Sequence, residues 1–122
     1  MSKPPQISGA EWEVMQVLWD ASPLSGTEVA ERMRAHPKTV KTLLGRLVKK
    51  GALRFKEEAN RYLYSPAFVR DRYVAEESRS FLQRVFGGEA SPALVHFVEN
   101  VELTDEEIQE LRDLLDRRAK GK

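Results

Sequence analysis

The chain of 122 residues contains no cysteine and only two histidines. The first absence excludes disulfides, thiolate metal sites and cysteine nucleophiles, and agrees with a reducing cytosol. His36 and His96 stand far apart, and neither belongs to a metal-binding spacing such as HExxH. No apolar run approaches the ~20 residues that span a bilayer. The opening MSKPPQIS has no apolar stretch of signal-peptide type. Glycine-rich phosphate loops are missing too, since Gly87-Gly88 stands without a GK[ST] motif. These absences argue against an enzyme, a resident metal or a cofactor. A soluble cytoplasmic protein is expected.

What the chain has is a segregated charge. Residues 32–64 hold ten cations against two anions, Glu57 and Glu58, for a net +8, while the whole chain carries +1. A field so concentrated faces a polyanion. Hydrophobic residues make up 41% and charged residues 32%, as in a folded chain, and the length fits one domain, or one small domain with an appended oligomerisation element.

The fold class read from periodicity is mainly α with a small β-hairpin wing. Trp12, Met15 and Trp19, with Val14 and Leu18 beside them, form the apolar face of a first helix over Ala10–Asp20. Ser8 and Glu11 have the spacing of a capping box, as do Ser25 and Glu28 before a short helix from Thr27 to Arg34. His36-Pro37 ends that helix, and Pro37 suits the first turn of the next. The third helix, residues 37–50, buries Val40, Leu43, Leu44, Leu47 and Val48. It gathers Lys38, Lys41, Thr42, Gly45, Arg46 and Lys49 on the opposite face. Gly51 stands where a left-handed cap belongs. Alternation then sets Leu53 and Phe55 against Arg54 and Lys56. Glu57-Glu58-Ala59-Asn60 reads as a turn, and Arg61 to Tyr64 as the return strand.

This is a winged helix-turn-helix over residues 1–67, with a helical dimerisation arm over residues 68–122. In such a module the N-terminal half of the recognition helix approaches the bases. Lys38, Thr39, Lys41 and Thr42 are the candidate readers. Arg46, Lys49, Lys50, Arg54, Lys56 and Arg61 are candidate phosphate contacts, adding affinity without sequence information. In the arm, Phe81, Leu82, Val85, Phe86, Leu94 and Val98 precede a helix capped by Thr104 and Glu107. That helix carries a seam of Ile108, Leu111, Leu114 and Leu115. An arm of about 50 residues can hardly cover its own apolar faces, so a second copy is the expected partner. A protein-interaction module built on the same fold is the alternative.

The blocks ISGAEWEVMQVLW, KTVKTLLGRLVKKG, RYLYSP, FLQRVFGG, LVHFVEN and LTDEEIQELRDLL, in this order, resemble the BlaI/MecI family of penicillinase repressors. The resemblance implies a homodimer that binds a palindromic double-stranded operator and represses transcription, in the namesake systems of antibiotic-resistance genes. It also implies release through a membrane-bound sensor metalloprotease, with the repressor cut at a bond that falls here at His96-Phe97. The family often has asparagine before that phenylalanine. Its usual Trp-Ser before the recognition helix is Ala35-His36 in this chain.

Overall fold

The computed structural model describes residues 3–121, which form six helices and three strands. They are α1 (Gly9–Asp20), β1 (Leu24–Ser25), α2 (Gly26–Met33), α3 (Pro37–Lys50), β2 (Leu53–Glu58), β3 (Arg61–Pro66), α4 (Arg70–Phe86), α5 (Ala90–Asn100) and α6 (Asp105–Gly121). The chain divides into two compact units, one ending at Ser78 and one beginning at Arg79.

Local chemistry sets the helix starts in the first unit. The Ser8 hydroxyl accepts from Glu11 N while the Glu11 carboxylate accepts from Ser8 N, and Ser25 and Glu28 repeat the arrangement. Each box satisfies two backbone donors that the helix leaves unpaired. His36 caps α3 through Nδ1, which accepts from Lys38 N at 3.1 Å. Gly51 closes α3 at φ 89°, a left-handed geometry that costs glycine little.

Val14, Met15 and Leu18 of α1 pack with Val29 and Ala30 of α2 and with Val40, Leu44 and Leu47 of α3. Each such large side chain contributes roughly 1.5–3 kcal/mol on burial. Ala52 and Leu53 complete this core where α3 hands over to the sheet.

The sheet departs from a simple hairpin. It has three antiparallel strands in the order β1-β3-β2, with Leu24 opposite Tyr64 and Ser25 opposite Leu63. The extra strand ties the wing to the segment between α1 and α2. The turn is also tighter than the expected four residues. Only Ala59 (φ 52°) and Asn60 (φ 65°) form it, and Glu57 and Glu58 belong to β2. Two consecutive left-handed residues match the natural twist of a hairpin.

The division between the two compact units falls inside α4, for a physical reason. Tyr73 is 1% exposed, with Trp12, Trp19 and Phe68 packed around its ring at centroid distances of 6.1, 5.6 and 6.0 Å. Trp19 Nε1 also donates to Phe68 O at 3.0 Å. The start of α4 therefore belongs to the first unit.

In the second unit, Thr104 and Glu107 make the expected capping box at α6. Phe81 and Phe97 stack at 6.2 Å. Among the described residues of this unit only Ala93 is buried, and α6 buries none.

Candidate nucleic-acid interface

The α3 stripe faces the core, so its other side is turned outward. Lys38, Thr39, Lys41, Thr42, Arg46 and Lys49 are all exposed. None of the lysines or the arginine in this set forms an ion pair among the described residues. The Thr42 hydroxyl donates to Lys38 O, which holds its rotamer and leaves its lone pairs outward as acceptors.

Strand register places Arg54 opposite Ser65, Lys56 opposite Leu63 and Glu58 opposite Arg61. Arg54, Lys56 and Arg61 thus share one face of the wing, since directly paired residues project the same way. The opposite face carries Phe55, Tyr62 and Tyr64, with the Phe55 and Tyr62 rings edge-to-face at 4.9 Å and both about half exposed. Lys56 pairs loosely with Glu58 at 3.7 Å, an exposed contact of small energetic weight.

An open cleft of about 530 Å³ separates α2, the start of α3 and β3. It is lined by Thr27, Glu28, Glu31, Pro37, Lys41, Arg61, Tyr62 and Tyr64, among others. The charges of Arg61 and Arg32 reach Glu28, but its carboxyl is held below the usual range chiefly by the backbone and hydroxyl of Ser25. Thr27 and Tyr62 were not singled out from sequence. Their only local signal is polarity or aromaticity at exposed positions.

Lys50 differs from the other candidates. Its ammonium lies 2.6 Å from Glu11 Oε1 and also donates to Gln6 O at 3.2 Å. Glu11 is 2% exposed. Burial disfavours its charged form, but hydrogen bonds from Lys50 and Ser8 and the charge of Lys50 outweigh this and hold its pKa below the ordinary carboxylate value. The sequence presented Glu11 only as a helix cap.

The dimerisation candidates divide by exposure. Phe81, Leu82 and Phe86 are half-buried, whereas Val85, Leu94, Val98, Ile108, Leu111, Leu114 and Leu115 are exposed. His96 and Phe97 lie within α5, where the Asn100 amide donates to His96 O at 2.9 Å. No group of His, Asp and Glu that could hold a metal occurs among the described residues. Nor is any helix among them long and apolar enough to cross a membrane.

The family model described as penicillinase repressor matches residues 7–117. The chain belongs to the penicillinase repressor family. It is 39% identical to the penicillinase repressor of Bacillus licheniformis, over all of this chain and 98% of that one. It is 32% identical to the methicillin resistance regulatory protein MecI of Staphylococcus aureus strain N315, over 93% of this chain and 95% of that one. Among solved structures, the monomeric form of Bacillus licheniformis BlaI in complex with the blaP half-operator is 42% identical. It covers 60% of this chain and 94% of that one, with a TM-score of 0.51. The family is one of DNA-binding repressors, not of enzymes.

Proposed function

We propose that the protein is a homodimeric transcriptional repressor that binds a palindromic operator sequence-specifically. The observation that carries this reading is the unpaired cationic face of α3 beside a wing whose Arg54, Lys56 and Arg61 project together. A relative 42% identical to the DNA-binding part has been solved on half of its operator. In this reading Lys38, Thr39, Lys41 and Thr42 read bases or adjacent phosphates. Arg46, Lys49, Arg54, Lys56 and Arg61 grip the backbone. The regulated genes belong to a β-lactam-resistance operon, by likeness to the named relatives.

The open seams of α5 and α6 take a second copy. Exposed apolar side chains along both helices suit an interaction site, and two tethered half-site contacts gain affinity through effective concentration. Release follows cleavage at His96-Phe97 by a membrane-bound sensor metalloprotease. The bond lies inside a helix, so α5 opens locally before it is cut.

The test combines sedimentation with DNA titration. The wild-type chain is expected to sediment as a dimer, and Leu111→Asp with Leu114→Asp as a monomer with a weakened hold on a full operator. Deleting residues 97–122 is expected to weaken operator binding by orders of magnitude while the first unit stays folded. A monomeric wild type, or DNA binding with neither steep salt dependence nor preference over random sequence, would falsify the reading. The latter result would favour a protein-interaction module.

A further inference from the structure

We infer that Lys50 and Glu11 form a positioning pair that sets the recognition helix against the wing, and that Lys50 is not a phosphate contact. The inference rests on the operator-binding reading above and reassigns one of the ten DNA-contact candidates offered by the sequence. Lys49 and Lys50 are adjacent, alike in chemistry and both at the end of α3. Only their surroundings separate them. Both are exposed, but Lys49 forms no ion pair among the described residues, whereas the Lys50 ammonium is held by Glu11 Oε1 and Gln6 O.

The location of this tie gives it leverage. Lys50 is the last residue of α3, and the chain turns into β2 over the next two residues. Gly51 takes the left-handed geometry, Ala52 N donates to Leu47 O, and Ala52 O accepts from Ala67 N. Ala52 is fully buried. Glu11 anchors the other end, because Oε1 also accepts from Ser8 N in the capping box of α1. One carboxylate oxygen therefore joins the start of α1 to the point where reading helix becomes wing. Base readout needs side chains held to within roughly 0.5 Å, while phosphate contacts carry no sequence information. Loosening the tie should cost discrimination first.

This distinction is measurable. Each phosphate contact contributes about 0.9 to the slope of log K against log salt. The full-length protein would be titrated by fluorescence anisotropy against two duplexes over a salt series. One is a sequence the wild type selects from a random library, and the other is a scrambled duplex of equal composition. Lys49→Met is expected to weaken both duplexes and to lower the slope by about 0.9. Lys50→Met is expected to keep the wild-type slope and scrambled-DNA affinity while its preference for the selected duplex falls about tenfold. Lys50→Arg, which can still reach Glu11, should retain the preference.

Glu11→Gln keeps shape and leaves Lys50 charged, so it carries the test if Lys50→Met fails to fold. Its preference for the selected duplex is also expected to fall. A Lys50→Met protein that loses slope and weakens on both duplexes alike would overturn the assignment. So would a Glu11→Gln protein with wild-type preference. If the wild type selects no sequence at all, the operator-binding reading itself fails.

Discussion

Replacing Tyr73 with phenylalanine is expected to stabilise the protein, although it removes part of one of the most deeply buried side chains in the fold. Tyr73 is 1% exposed, and its hydroxyl is the one buried side-chain polar atom without a hydrogen-bond partner among the described residues. Leaving a buried donor unsatisfied costs about 1–3 kcal/mol. Phenylalanine removes that penalty and keeps the ring against Trp12, Trp19 and Phe68. For a unit of 60–100 residues, each 1 kcal/mol moves the melting temperature by about 4–8 °C, so a rise of at least several degrees is expected. Trp12 and Trp19 surround the site, and their fluorescence reports its unfolding directly.

Alkaline pH makes the same prediction sharper. Burial, with smaller contributions from the charges of Glu11 and Glu77, pushes the Tyr73 hydroxyl from 10.0 to about 12. The folded state therefore keeps a proton that the unfolded state releases above pH 10. Stability is whole below pH 10 and falls as pH rises through 12. The loss is roughly 3 kcal/mol for a shift of this size, at about 1.4 kcal/mol per unit. Tyr64, also raised by burial, titrates in both proteins and cancels in the difference. The stability advantage of Tyr73→Phe should thus widen between pH 10 and 12 in denaturant titrations. A variant that melts lower than wild type at neutral pH, or an advantage independent of pH in that window, would refute the reasoning.

Two other perturbations test separate parts of the first unit. Gly45 lies on the exposed face of α3, where an added Cβ meets nothing within 4 Å. Gly45→Ala should raise stability by about 1 kcal/mol in urea unfolding, and an unchanged or lower midpoint would count against it. Glu11 and Glu28 both have carboxyls held below 4.5 by their partners. Their contribution is complete above pH 4.5 and disappears as pH falls through their folded-state values. Ser25→Ala, which breaks the α2 box, should cost about 1 kcal/mol at neutral pH and progressively less as the carboxyl is titrated below pH 4.5. A loss that stays constant through the whole acid titration would show that the Glu28 carboxylate takes no part.

How far this molecule can be read from its residues depends on how far apart the interacting groups lie. Ser8 with Glu11, Ser25 with Glu28, and Thr104 with Glu107 each sit three residues apart, and all three capping boxes form. Gly51 and the α3 stripe are equally local, and α3 begins and ends where its pattern implies. Strand β1 was not legible. Two residues show no alternation, and Leu24-Ser25 becomes a strand only because Leu63 and Tyr64 supply the pairing. Glu57 and Glu58 looked like turn residues by polarity, yet the left-handed pair Ala59-Asn60 closes the hairpin without them.

The candidate interface shows the same limit in its chemistry. Charge counting treats Lys49 and Lys50 as equivalent members of the +8 segment. Glu11 lies 39 positions away from Lys50, beyond the reach of any periodicity, and with Gln6 O it separates the two. A basic stretch therefore sets an upper bound on the cations available to DNA. How many remain available depends on which carboxylates the fold brings back against it. In the described residues of α3 that correction removes one lysine, at the junction where the reading helix meets the wing.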